Sequence, residues 1–583
     1  MNVVLTTLNS KFIHSSLALR YLKAYGATRG QAYDVVEYTI NMPVLHILSD
    51  ITERDMDMLG FACYIWNIEM TLHVVSLVKA VRPDIKIVLG GPEVSFTADE
   101  LLARCKDIDY IVQGEGEEAF ANLVSALIAG QDGLTPIIDG IRGRATDGAF
   151  KGSTEAVEVR DLSTIPFPYT EEDMKDLEHK IMYYESSRGC PFSCQYCLSG
   201  NKNTVRFFPQ KRTLQELQWF IDHGVKQIKF VDRTFNCAPG HHRPLMEFMR
   251  DADTDTNFHL EMEPELMTEW ETDLLCHTSE GRIQIEVGVQ STHKQTLDAI
   301  NRYNDWPYIQ KSIRPIIEAG RTHVHMDLIV GLPHEGFERF GQSFNDLFSL
   351  QPQALQIGFL KLLKGSGVRR MDEYQYTSDP LAPYEVLSTH VLSYDEVRFL
   401  KHFEDVFERF YNSERFRTVF GYIGQQLIDS DTEDAFSYFC HMTRAWLDNN
   451  HHQVNLKDID QIEFLYQFLM NRGDTIGAEL LQYDTLCSYR GKVRSEAVGL
   501  PKQTKELLQA GEAFWRDEEL AGQYIPNYSF KEWRQIRQQY VEMPMSEQTA
   551  RYLGVRNIEA MTGDSGIVII DVNRKSQPFV RPL

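Results

Sequence analysis

Over roughly its first 360 residues the chain alternates short apolar runs, many of them β-branched, with longer stretches whose apolar positions recur at helical spacing. Near the start, Asn2–Leu8, Asp34–Ile40, Met56–Cys63, Ile85–Leu89 and Tyr110–Val112 predict strands. Ser15–Tyr25, Ile68–Val81, Thr97–Arg104 and Glu117–Ile128 predict helices between most of them. Strands alternating with helices require right-handed parallel crossovers, hence a doubly wound, Rossmann-like α/β sheet with ligands at its strand ends. Residues 141–179 break the rhythm, and Pro166 and Pro168 in DLSTIPFPYTEEDM frame an extended linker packed on the next domain. Alternation then resumes with strands at Lys180–Glu185, Ile228–Val231, Phe258–Met262, Ile283–Gly288, Val324–Val330 and Ala354–Phe359. Six such units predict a partial (βα)6 barrel, whose active site lies where the strands end. From about Arg370 helical patterns take over, as in SYDEVRFLKHFEDVFERFYNS, where Ser393 and Glu396 make a capping box. Close to the end, GIVIIDVNR reads as a strand, placed on a small sheet or on the barrel edge. The expected organisation is therefore a sheet domain over 1–140, a linker over 141–179, a barrel over 180–370 and a mainly α-helical domain over 371–583.

The stretch Tyr183–Gly200, YYESSRGCPFSCQYCLSG, carries the densest chemistry. Cys190, Cys194 and Cys197 stand in the spacing C-x3-C-x2-C, in a loop with Gly189 and Pro191. Three close thiolates can hold three irons of a cubane cluster and leave the fourth iron open to a substrate or cofactor. The competing reading is a structural zinc site, which needs a fourth ligand such as His179. The other six cysteines are scattered and read as buried small hydrophobes. Polar residues cluster at the later strand ends: Asp232 and Arg233, Glu261 and Glu263, Gln290 and Ser291, then Asp327 ahead of a Gly331–Leu332–Pro333 turn. Carboxylates inside a barrel must be paired or used. In the first domain, the strand-end loops LNSKFIH, CYIWN, GGPEVS and QGEGEE offer His14, Gly90, Gly91, Gly114 and Glu115 as ligand-contacting positions.

Charge narrows the partners. The formal net charge of −24 argues against bulk attachment to nucleic acid or anionic lipid. No apolar run of membrane-spanning length is present, and the start, MNVVLTTLNS, lacks the basic-then-apolar order of a secretory signal, so a cytoplasmic protein is expected. An exposed cluster is oxygen-labile and implies a reducing setting.

The cysteine spacing, with Tyr196 just before the last thiol, looks like the signature of the radical S-adenosylmethionine (SAM) enzymes. The first domain resembles the cobalamin-binding domain that precedes the catalytic domain in many of them, chiefly through GGPEVS and GEGEEAF. It departs from the D-x-H-x-x-G cobalamin pattern: His14 is in place, but Phe12 replaces the aspartate and Leu17 the glycine. That puts His14 as a cobalt ligand in question more than cobalamin itself. The barrel resembles the oxygen-independent coproporphyrinogen oxidase-like branch. That branch's E-x-x-P, G-V-Q, N-R and D-L-I-x-G-L-P runs fall on Glu261, Gln290, Arg302 and Asp327, with its tyrosine on Tyr184. The resemblance implies SAM contacts for these residues and for Asp232, with salt bridging inside the barrel as the other reading of Asp232 and Glu261. It implies a [4Fe-4S] cluster, SAM and cobalamin as cofactors, and an electron donor such as flavodoxin or ferredoxin. It further implies methyl transfer to an unactivated carbon of a small-molecule substrate. The alternatives are a cobalamin-dependent radical cyclisation or rearrangement, and a non-catalytic cobalamin or redox sensor. The helical region resembles an uncharacterised C-terminal extension of such proteins.

Overall fold

A computed structural model describes residues 1–199, 204–500, 511–530, 532–561 and 563–582; Gly200, the end of the cysteine stretch, lies outside them. The chain forms two compact units, Met1–Ser343 with Ile357–Val397, and Phe344–Gln356 with Arg398–Leu583.

The first unit opens with the predicted doubly wound sheet. Its elements run β1 (Val3–Asn9), α1 (Leu17–Thr28), β2 (Tyr33–Thr39), α2 (Val44–Thr52), β3 (Met58–Ala62), α3 (Ile68–Val81), β4 (Lys86–Gly90), α4 (Ala98–Arg104), β5 (Tyr110–Val112), α5 (Gly116–Ile128), β6 (Ile141–Arg144) and β7 (Phe150–Gly152). Strand order is β2-β1-β3-β4-β5-β6-β7, parallel through β5 and antiparallel beyond it. β1 is buried along its whole length, as its continuous apolar and threonine run requires for a strand covered on both faces. The strand order reverses between β1 and β3, so the crevice outside their carboxyl ends is the favoured ligand position. The loops at that crevice are the one carrying His14 and the one carrying Trp66. Val159, Leu162 and Ile165 of the linker bury themselves against Tyr21, Tyr25 and Phe208, so the linker joins the sheet domain to the next one.

After α6 (Glu171–Leu177) come β8 (Met182–Tyr184), β9 (Ser187–Gly189), β10 (Val205–Phe207), α7 (Gln210–Asp222), β11 (Gln227–Phe230), α8 (Pro239–Asp251), β12 (Asn257–Met262) and α9 (Glu269–His277). They are followed by β13 (Ile283–Gln290), α10 (Lys294–Ala299), α11 (Trp306–Ala319), β14 (His323–Val330), α12 (Phe337–Phe348) and β15 (Ala354–Phe359). The six-stranded sheet has the order β15-β14-β13-β12-β11-β8, the partial barrel that alternation predicts. β13 and β14 alternate between buried apolar and half-buried positions, the latter polar apart from Gly288 and Ile329, which puts Gln284, Glu286, Gln290, His323, His325 and Asp327 on one face of the sheet. The antiparallel pair β9–β10, which brackets the cysteine loop, is not among the predicted strands, because each member is only three residues long.

The second unit is mainly helical, with α14 (Arg417–Ile428), α15 (Ala435–Asp448), α16 (Asp458–Asn471) and α17 (Thr475–Ser488) following α13 (Tyr394–Phe407). The aromatic stripe is core: Phe403, Phe407 and Phe439 are buried and pack edge to face. GIVIIDVNR supplies Ser565–Asp571, the middle strand of a three-stranded antiparallel sheet with Tyr540–Ser546 and Phe579–Val580. Among the described residues, no helix is long and apolar enough to cross a membrane.

Candidate active site

The cysteine loop is fixed by three segments of the chain. Its entry, Gly189, sits at φ +100° with its α-carbon against the Thr204 carbonyl, where a side chain would collide. In the middle, the Gln195 amide donates to the Ile300 carbonyl at 2.9 Å and the Gln195 carbonyl accepts from the Val368 amide at 2.9 Å. The Asn301 side-chain amide caps the Ser193 carbonyl at 3.2 Å. The backbone after α10 therefore sets where the thiols lie.

All three thiols line one cavity of about 210 Å³, together with residues of β12, β13 and β14. Glu261, Gln290, Arg302 and Asp327 line it together with Arg233, Thr234, Glu263 and Glu286. Gln290 reaches it from a left-handed backbone, φ 71°, at a register shift between β13 and β14. Such strain in a non-glycine residue persists only where its surroundings hold it. Burial, then the neighbouring Glu286 and Glu261, push the Asp327 carboxyl well above the usual carboxylate range, and burial raises Glu261. The Asp327 Oδ1 atom is buried without a hydrogen bond among the described residues.

Glu286, absent from the sequence-based candidates, organises the barrel interior at this cavity. Its Oε2 lies 3.1 Å from His259 Nε2 and 3.2 Å from Lys229 Nζ. Burial opposes its ionisation, but the His259 hydrogen bond, Lys229 and His325 together hold its carboxyl below the usual range. His325 Nε2 stands 3.3 Å from Asp327 Oδ1. The period-two polar positions of IQIEVGVQ and HVHMDLIV carry the signal that marks these residues as inward-facing.

Two of the expected SAM contacts, Asp232 and Tyr184, and the strand-end residue Ser291 do not line this cavity. Asp232 is buried and accepts from the Ser186 amide at 2.8 Å, the Ser186 hydroxyl at 2.7 Å and the Ser187 hydroxyl at 2.6 Å. Its neighbour Arg233 takes the cavity wall instead. The Tyr184 hydroxyl donates to Glu216 at 2.6 Å inside the core, and the Ser291 hydroxyl donates to Glu335 at 2.7 Å.

In the sheet domain, the strand-end residues divide in two. Gly91, at φ +110°, and Gly114, at φ +87°, are required by close passage of the Cys63 and Val157 backbones, while a Cβ at Gly90 would make only an ordinary contact with Val112. Glu115 pairs with Arg206 and Arg188 and accepts from the Val159 amide at 2.8 Å. Although burial opposes it, that pairing holds the Glu115 carboxyl below its usual range. Arg188, two residues before Cys190, also pairs with Glu117 at 2.6 Å and Glu185 at 2.7 Å, so the GEGEE segment clamps the cysteine strand. His14 Nδ1 lies 2.7 Å from the Tyr183 hydroxyl. Near it on the crevice loops, Phe12 and Ile13 are exposed, and an exposed Trp66 stacks on Tyr64 with ring centroids 4.5 Å apart.

These donors fit the implied cofactors. Among the described residues, no three His, Cys, Asp or Glu side chains close on a point able to hold a single metal ion, although the three thiols share a cavity. A zinc site needs such closure; a cluster with one cysteine per iron does not. Exposed apolar side chains beside an imidazole at the switch point of an α/β sheet suit a large flat ring carrying a metal.

Residues 3–124 match the B12 binding domain, residues 184–347 the radical SAM superfamily, and residues 372–561 a family described as a protein of unknown function, DUF4080. The chain is 27% identical over 385 residues to the 2-(S-pantetheinyl)-carbapenam-3-carboxylate methyltransferase of Streptantibioticus cattleyicolor, covering 59% of this chain and 55% of that protein. It is 27% identical over 343 residues to the cobalamin-dependent radical SAM methyltransferase TokK of Streptomyces tokunonensis, covering 54% and 48% respectively. The chain thus spans about half the length of the curated relatives it matches. The solved structure of the cobalamin-dependent SAM radical enzyme OxsB with aqua-cobalamin and SAM bound shares the fold, at a TM-score of 0.59 and 14% identity over 88% of this chain and 80% of that one.

Proposed function

We propose that this chain, a radical SAM protein carrying a B12-binding domain, is a cobalamin-dependent methyltransferase acting at an unactivated carbon of a small molecule. The observation that carries the reading is the shared cavity, lined by the three thiols together with Glu261, Gln290 and Asp327, in the same compact unit as the doubly wound sheet. We assign residues 1–140 to cobalamin and 180–370 to the cluster and SAM, and leave 371–583 as a mainly helical domain of unknown role. When bound, a cluster at these cysteines would supply one-electron reduction of SAM, and cobalamin in the sheet domain would supply methyl-transfer chemistry.

The chain's own residues position and shield. Cys190, Cys194 and Cys197 each hold one iron. Asp327 and Glu261 face the ligand, and a cationic ligand would favour their charged forms against the burial, and then the neighbouring carboxylates, that raise their pKa values. Gln290 adds an amide to the same cavity, and Phe192 and Tyr196 line the cavity beside the thiols. The electron comes from a small carrier such as flavodoxin or ferredoxin in a reducing cytoplasm.

Anaerobic reconstitution with iron and sulfide, followed by methylcobalamin, reductant, SAM and substrate, tests the reading. Wild type is expected to form 5′-deoxyadenosine and S-adenosylhomocysteine together, and Cys190→Ala neither. Deoxyadenosine without the homocysteine product moves the assignment to radical cyclisation or rearrangement. Full iron–sulfur absorbance and SAM cleavage in Cys190→Ala sinks it.

A further inference from the structure

Both terminal nitrogens of the Arg302 guanidinium face protein groups, while Nε is buried without a hydrogen-bond partner among the described residues. Nη2 pairs with the Glu263 carboxylate at 2.9 Å and also donates to the Gly288 carbonyl, while Nη1 stands 3.8 Å from the Cys194 sulfur. Both members of the pair are buried, with side chains 9% and 8% exposed, so the charge is little screened by water. The carboxylate holds one end of the guanidinium, and the other end faces a thiol of the cysteine loop. The absence of a side chain at Gly288 serves Gln290 rather than Arg302, since a Cβ there would collide with Gln290 Nε2 but make only an ordinary contact with Arg302 Nη2 at 3.9 Å.

We propose that Arg302 is a positioning residue that sets the reduction potential of the cluster through its hydrogen bond to the Cys194 sulfur, with Glu263 fixing the guanidinium in place. The inference rests on the assignment of a [4Fe-4S] cluster to Cys190, Cys194 and Cys197. Reduction takes the cluster from 2+ to 1+ by one electron from an external donor and adds one negative charge. A cationic donor at a ligating sulfur stabilises that more negative form, because hydrogen bonds to the sulfurs and local charge tune such centres. Arg302 therefore raises the midpoint potential and makes the cluster easier to reduce. This differs from a SAM contact, which leaves the potential of the SAM-free cluster untouched.

The test is an EPR-monitored titration with dithionite and mediators on anaerobically reconstituted protein without SAM, with iron content and SAM affinity measured alongside. Arg302→Met is expected to shift the midpoint to lower potential, and Arg302→Lys to restore part of the shift. Because Arg302→Met leaves Glu263 buried and unpaired, the double variant Arg302→Met/Glu263→Gln is measured too and is expected to shift in the same direction. Midpoints at or above wild type in the single and double methionine variants overturn the inference, whatever happens to SAM affinity. A wild-type protein that binds no cluster overturns the underlying assignment instead.

Discussion

The Tyr183 hydroxyl lies 2.7 Å from His14 Nδ1, so the first barrel strand orients an imidazole on the loop after the first strand of the sheet domain. With Phe12 in place of the aspartate of the D-x-H-x-x-G pattern, the ring finds its partner in Tyr183, 169 residues away in the chain. With Nδ1–H donating to the hydroxyl oxygen, the Nε2 lone pair is left for a metal. Burial, then Lys11 and Lys229, lower the His14 pKa and favour the neutral ring that ligation requires.

If that ring ligates cobalt, cob(II)alamin bound to wild type shows nitrogen splitting in its EPR spectrum, and His14→Ala loses it. Tyr183→Phe, which removes only the hydrogen-bond partner, is expected to weaken cobalamin binding about tenfold, as loss of an outer partner usually does. Identical spectra in wild type and His14→Ala would leave the imidazole as a neighbour of the ring and no more.

Asp232 is expected to hold the cysteine strand in place. Its carboxylate accepts three hydrogen bonds from Ser186 and Ser187, just ahead of Cys190. Asp232→Ala leaves buried donors unpaired, at a cost of about 2–4 kcal/mol, and reduces iron retention. Calorimetry and iron assay check this. Its SAM affinity, measured on the fraction that keeps a cluster, should stay within about twofold of wild type by the same reasoning, since no cavity contact is removed; a tenfold loss would restore Asp232 as a SAM contact.

Legibility in the sequence depends on periodicity. Alternation in IQIEVGVQ and HVHMDLIV marks barrel strands, and the spacing of the cysteines marks the cluster, because both signals are local. Side-chain direction is not legible in this way. Asp232 and Arg233 are adjacent, and only the fold decides that the arginine takes the cavity while the aspartate turns to two serines. The Tyr183–His14 bond and the Glu115–Arg206 pair join segments distant in sequence, for which one chain carries no pattern. The glycines of GEGEE suggest a ligand loop, yet Gly114 is needed for the passage of Val157.

Gly91→Ala tests the same distinction at GGPEVS. The added methyl would stand 2.5 Å from the Cys63 carbonyl oxygen, at φ +110° where side chains are strained. A loss of about 2–3 kcal/mol is expected from denaturant unfolding. Gly90→Ala, whose Cβ would meet Val112 at 3.5 Å, is expected to fold nearly as well as wild type. If Gly90→Ala nevertheless loses cobalamin, the ligand approaches Gly90 rather than Gly91.

Glu335 carries the clearest pH signature. It is buried; Oε1 accepts from the Ser291 and Ser343 hydroxyls, each at 2.7 Å, and Oε2 has no partner among the described residues. Burial, only partly offset by the serines, pushes its pKa up to about 7. Between the unfolded value of 4.5 and that raised value, the folded protein holds a proton that the unfolded chain has released. Stability from this group is therefore complete below pH 4.5 and is lost as pH rises through 7, by about 3 kcal/mol at the linkage limit. Glu335→Gln keeps an acceptor for the serines and cannot ionise. It should match wild type near pH 4.5 and exceed its stability at pH 8, which urea unfolding across that range would register. Parallel curves for the two proteins would mean that Glu335 is ionised in the folded state and that its buried oxygen is better solvated than the geometry shows.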